Sequence, residues 1–156
     1  MITIEYQLPK ETIARYRLSL AREGTDPYGE TTICSQPETA APFLHRVLES
    51  YDREVVGSLF LSHNQRAIGH TLAYIGTLTQ APAEPRGLLL PALLANASSV
   101  ILFHNHPSGD PTPSTDDINL TQRVAAAGNI LGVKVLDHII LGEEPTYTSL
   151  WKTNPW

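Results

Sequence analysis

Cysteine is almost missing from this chain: Cys34 is the single one among 156 residues. One thiol cannot close an internal disulfide, so the fold must stand on its core, and a reducing cytoplasm is the expected compartment. Cys34 itself reads as an ordinary small residue. Long hydrophobic runs are missing too. The longest, at 88–94 and 100–103, fall far short of the roughly 20 apolar residues that span a bilayer, so no membrane helix is expected. The start, Met1 to Glu5, has no basic stretch followed by an apolar core, so no secretory leader is expected either. Basic residues are in deficit, 11 against 16 acidic for a net charge of −5. That balance counts against a nucleic-acid binder working by bulk charge, which needs a basic face to release phosphate counterions.

What is present is enough for one folded domain. The chain is 42% hydrophobic and 17% charged, a composition that excludes wholesale disorder, and its length suits a single core. Residues 2–8 alternate apolar and polar, the period of a half-buried strand, and Tyr16, Leu18 and Leu20 offer a second alternation that a helix would fit as well. The Gly-, Thr-, Asp- and Pro-rich stretch 22–36 reads as a loop.

Phe43, Leu44, Val47, Leu48 and Tyr51 recur at helical spacing, which predicts a helix over 39–51 with Pro42 in its first turn. Two β-rich runs, 55–61 and 67–75, flank the turn-like Ser62-His63-Asn64-Gln65 and predict a hairpin. A leucine-dense segment, 86–97, predicts a helix that Pro91 should kink or restart. A strand is expected from Val100, and a helix over 115–127 closed by Gly128-Asn129 or Gly132. Further strands are expected at 133–141 and 146–151. The expected fold class is therefore α/β, a single domain with a mixed sheet flanked by helices.

The chemistry concentrates between His104 and Asp117. If His104 and His106 continue the strand, their side chains share one face, with Cα atoms roughly 6.6 Å apart at about 3.3 Å per residue. Pro107 and a Gly/Pro-rich loop then turn the chain so that the next helix can present an acidic residue to that face. Two imidazoles and a carboxylate make a three-ligand set that suits Zn²⁺ and leaves a fourth position for water. The same letters have a plainer reading. Ser114-Thr115-Asp116-Asp117 has the Ser-x-x-acid form of a helix capping box, and either histidine could be a satisfied polar residue at a strand end.

His104-x-His106-Pro107 followed by Ser114-x-x-Asp117 resembles the JAMM signature of the JAB/MPN metalloprotease superfamily. Gly76-Thr77-Leu78, Pro85-Arg86, Ala95-Asn96-Ala97, 104–109 and 136–142 resemble its RadC branch more narrowly, over about 35–150. The resemblance implies a JAB/MPN domain over 35–156 with a cytidine-deaminase-like architecture. Residues 1–34 are then N-terminal strands and loop, part of or appended to the core. No helix-hairpin-helix region is recognisable in 1–34, and a short stand-alone form is expected.

The resemblance also implies one zinc per chain, held by His104, His106 and Asp117, with Asp116 at the wrong spacing. It implies Glu54 as general acid/base at the start of a strand, and Ser114 as a stabiliser of the oxyanion. His138, beside Asp137, is a further candidate as a supporter of a ligand from behind. Gly87 and Pro91 depart from the regular helix more usual in the family, so a shortened helix beneath the site is expected.

The implied activity is hydrolysis of an amide or isopeptide bond, with a peptide or isopeptide-linked protein as substrate. The alternative is a DNA-repair or mobile-element accessory protein of the RadC type. His104-Asn105-His106 also spells the name of the HNH nucleases, but those three residues are dispersed through a ββα-metal unit, so the adjacency here is coincidental. A non-catalytic MPN-like scaffold would normally have lost a ligand, and here the set is complete.

Overall fold

The computed structural model describes residues 33–34, 36–76 and 83–156, with Arg17, Ala21 and Gly24 as isolated positions. The strands expected at 2–8 and 16–20, and most of the 22–36 loop, lie outside the described residues. Among the described residues five strands form one mixed sheet in the order β2-β1-β3-β4-β5. They are β1 (Val55–Leu61), β2 (Ala67–Ile75), β3 (Ser99–Asn105), β4 (Lys134–Leu141) and β5 (Tyr147–Ser149). β1 pairs antiparallel with both β2 and β3, β3 pairs parallel with β4, and β4 pairs antiparallel with β5.

Helices cover both faces. On one side α1 (Pro37–Leu48) packs Phe43 and Leu44 with Val55, Leu59, Ile101, Phe103 and Ile139. On the other, α2 (Pro85–Leu94) and α3 (Thr115–Leu131) pack Leu88, Leu89, Leu120 and Val124 with Val56, Val100 and Leu102. Every residue of β1 is buried, as a strand covered on both faces must be, and its apolar run follows from that. Ser58, the polar exception, donates its hydroxyl hydrogen to the Leu88 carbonyl at 2.7 Å and ties α2 to the sheet.

Several helix limits differ from expectation. Pro37, not Pro42, takes the first turn of α1, and Pro42 lies inside the helix. α2 continues through Pro91 and ends at Leu94, three residues before the expected limit, for a reason unrelated to proline. Asn96 adopts a left-handed φ of 54°, with Asn96 N–H donating to the Leu93 carbonyl at 3.0 Å and Ala97 N–H to the Ala92 carbonyl at 2.9 Å, a Schellman stop. α3 outlasts Gly128 and is ended by Gly132 at φ 75°. The strand expected at 146–151 is the short β5 followed by α4 (Leu150–Thr153), where Ser149 caps by accepting from Lys152 N–H.

Candidate metal centre

Strand alternation and the β1–β3 register build the site. Val56 pairs with His104 and Leu102 pairs with His138, and Val56 and Leu102 both belong to the core beneath α2 and α3. His104 and His138 therefore project toward α3 at the carboxyl end of the parallel pair. His106 continues beyond β3, its N–H donating to the Leu141 carbonyl at 2.8 Å. The loop that follows is fastened by its own backbone: Gly109 N–H donates to the His106 carbonyl and Glu143 N–H to the Gly109 carbonyl, both at 2.9 Å. Gly109 makes this turn at φ 82°, a conformation that suits glycine. Asp110 Oδ1 accepts from Thr112 N–H at 2.9 Å and from its hydroxyl at 2.6 Å, which fixes the entry to α3.

α3 then delivers Asp117, and here the two readings of Ser-x-x-Asp hold together. Ser114 Oγ accepts from Asp117 N–H at 3.1 Å, while Asp117 Oδ2 accepts from Ser114 N–H at 2.7 Å and from the Ser114 hydroxyl at 2.6 Å, a complete capping box. Oδ1 is turned the other way and lies 3.2 Å from His104 Nε2. Asp117 is 3% exposed, whereas Asp116 points to solvent, which explains why the first and not the second can serve the site.

Hydrogen-bond direction fixes the protons on the imidazoles. Thr121 Oγ1 sits 2.6 Å from the Asp117 carbonyl, a group that only accepts, so the hydroxyl donates there. It must then accept from His138 Nδ1–H, 2.6 Å away. His138 Nε2 is left as an acceptor and takes the hydrogen of His104 Nδ1 at 2.8 Å. His104 Nε2 therefore carries a bare lone pair. His106 Nδ1–H donates to the Asp110 carbonyl at 2.8 Å, which turns its Nε2 toward His104 and Asp117.

The two Nε2 atoms lie 2.9 Å apart, with Asp117 Oδ1 3.2 Å from that of His104 and Asp117 Oδ2 3.6 Å from that of His106. Nitrogen lone pairs and carboxylate oxygens brought this close repel unless a proton or a cation sits among them. Bonds of about 2.0–2.1 Å to a tetrahedral zinc imply ligand–ligand edges of about 3.3 Å, and the observed separations bracket that value. His104, His106 and Asp117 thus form a group able to hold a metal ion.

Burial tunes the same groups. Desolvation pushes His104 down to about 4, against the opposing pull of Asp117, and holds His138 well below the usual imidazole range, so both are neutral at physiological pH. His106 is raised, chiefly by its hydrogen bond with Asp117. Burial works to raise the Asp117 carboxyl, but the bond with His106, the charge of His104 and the Ser114 bonds outweigh it and hold it well below the carboxylate range. Glu54 precedes β1, two residues before the partner of His104, and its carboxyl is raised by desolvation and then by the charge of Asp117. Glu54 is therefore in electrostatic reach of Asp117 and His106, and burial favours its protonated form.

The structure brings together His104, His106, Asp117, Ser114 and His138, with Glu54 at their border. His45 instead faces the Thr146 carbonyl, and His70 packs edge-on against Phe43, away from the cluster. Thr121, Asp110 and Thr112 escaped sequence reasoning. Thr121 falls four residues after Asp117 on the same helix face, the one signal that could have found it.

A domain of this class, a mixed α/β sheet with His-x-His at a strand end and Ser-x-x-Asp at a helix start, is a JAB-type domain. The model of the RadC-like JAB domain matches residues 34–155, and the chain belongs to that family. A UPF0758 protein of Desulforudis audaxviator is 45% identical over 114 residues, covering 73% of this chain and 49% of that protein. Relatives of the same name from Photorhabdus laumondii and Desulforamulus reducens are 42% and 44% identical, over 72% and 73% of this chain and 49% and 50% of theirs. The chain spans about half the length of these curated relatives. Among the described residues no helix is long and apolar enough to cross a membrane.

Proposed function

We propose that this domain is a zinc-dependent hydrolase of amide or isopeptide bonds, acting on a peptide or isopeptide-linked protein in the cytoplasm. The observation that carries the reading is the convergence of the His104 and His106 Nε2 atoms on the Asp117 carboxylate, with Glu54, raised by desolvation, beside them. His104, His106 and Asp117 would hold the ion. When bound, zinc supplies a Lewis acid and lowers the pKa of water toward about 7.

Glu54 takes the proton of the attacking water and delivers one to the leaving amine nitrogen, a role that suits a carboxyl whose pKa burial raises. Ser114 is solvent-accessible at the N-terminus of α3, where its hydroxyl can turn from Asp117 Oδ2 to the oxygen on which negative charge develops. The net charge of −5 favours protein over nucleic acid as the partner.

Glu54→Gln keeps the shape and removes the base. Against a panel of fluorogenic peptide and isopeptide substrates, zinc-loaded wild type should hydrolyse at least one, and Glu54→Gln should lose about 10²–10⁴-fold while retaining its zinc. Full activity in Glu54→Gln would sink the assigned mechanism.

A further inference from the structure

Asn105 stands between the two histidines, and alternation turns it to the face of the sheet opposite to theirs. There its carboxamide bonds the backbone that carries Glu54. Val55 N–H donates to Asn105 Oδ1 at 2.8 Å, and Asn105 Nδ2 donates to the Arg53 carbonyl at 3.1 Å. The orientation of the amide is fixed, because a backbone N–H can only donate and a carbonyl can only accept. From the other side Gly76 N–H donates to the Glu54 carbonyl at 2.9 Å. The peptide groups before and after Glu54 are thus held by three hydrogen bonds, two of them from one side chain.

The β1–β3 ladder ends at Val56 and His104, so Asn105 supplies with its side chain the donor and acceptor that another rung of backbone would have offered. The carboxamide places donor and acceptor on separate atoms, so both bonds form at once. An aspartate would accept from Val55 but repel the Arg53 carbonyl, and alanine offers neither group. The residue that links His104 to His106 in sequence is therefore also the one that ties the metal strand to the base.

We propose that Asn105 is a positioning residue that sets Glu54 relative to the ligands. The inference rests on the reading of Glu54 as general base, and it concerns how that base is held. Misplacement of a reacting group by about 1 Å can cost about 10²-fold in rate. Asn105→Ala should therefore lower kcat by about that factor, with KM and zinc content unchanged, and should add no further loss in a Glu54→Gln background.

Two readouts need no substrate. Amide exchange at Val55 should be slow in wild type and in Asn105→Asp, which keeps the acceptor, and fast in Asn105→Ala. The carboxyl carbon resonance of Glu54, which should shift sharply when zinc is added to wild type, should broaden in Asn105→Ala. Unchanged Val55 exchange and an unchanged Glu54 resonance in Asn105→Ala would overturn the inference. So would an equal loss of rate in the Glu54→Gln background, or loss of zinc from both Asn105 variants, which would make the residue a general support of the strand. Absence of zinc-dependent hydrolysis in wild type would count against the hydrolase reading alone, since the two resonance measurements still report on Asn105.

Discussion

Each imidazole in the centre is aimed by a hydrogen-bond partner. For His104 the chain of donors runs back through His138 and Thr121 to the Asp117 carbonyl, so the carboxylate residue that would share the ion also anchors the tautomer of its neighbour. Thr121→Val keeps the shape but leaves His138 Nδ1–H buried without an acceptor. The expected result is a loss of about 1–3 kcal/mol in stability by urea unfolding, and zinc affinity weakened about 10–100-fold in a chelator competition.

Ser114→Ala removes the cap and one bond to Asp117 Oδ2, and should cost about 1 kcal/mol of stability. The cluster of His104, His106 and Asp117 was legible in the sequence because His-x-His on a strand and Ser-x-x-Asp at a helix start are local patterns. His138 was visible as a candidate only, and Thr121 not at all, because their roles depend on which strand lies beside β3.

At the scale of elements, close approach decides more than propensity. β1 is squeezed at Gly57, where a Cβ would stand 2.4 Å from the Thr71 carbonyl oxygen and 2.5 Å from the Phe103 ring. Gly57→Ala should therefore destabilise by about 1–3 kcal/mol, read as a lower urea midpoint with the slope unchanged. The hairpin of β1 and β2 was readable to the residue, since apolar runs bounded by turn residues mark their own ends.

Helix limits were less readable. Pro37 and Pro42 both suit a first turn by type, and only the packing of Ala40, Ala41, Phe43 and Leu44 places the start at the earlier one. Pro91 looked like a breaker, yet an apolar segment buried through Leu88, Leu89 and Ala92 carries the helix past it. The true stop, Asn96, has the left-handed tolerance of its residue type and could have been named from it.

For the whole molecule, the candidate metal centre couples to folding. His104 titrates near 4 in the fold against about 6.5 in an unfolded chain. Its pKa is depressed on folding, so its contribution to stability is complete above pH 6.5 and is lost as pH falls toward 4, when the unfolded chain takes up a proton that the fold refuses. For the metal-free protein this amounts to about 3 kcal/mol, with His138 acting in the same direction. Urea midpoints of chelator-treated protein should drop steeply between pH 6.5 and 4. Zinc in free excess of about 100 times its Kd should add about 2.7 kcal/mol at neutral pH and raise Tm, an effect lost on chelation.

The α/β class and the mixed sheet were legible from the alternation of apolar runs and helical periods. The strand order was not, because pairing across β1, β3 and β4 joins residues far apart in sequence, and periodicity is blind to that.

The central claim is that His104, His106 and Asp117 hold a metal ion, and metal content tests it most directly. Protein purified without chelator or affinity metal would be analysed by mass spectrometry, wild type beside His106→Ala. The expected result is about one zinc per wild-type chain, with little or none in the variant. A wild type that carries no metal and takes up none when zinc is added would contradict it, and would leave Asp117 as the capping residue of α3 alone.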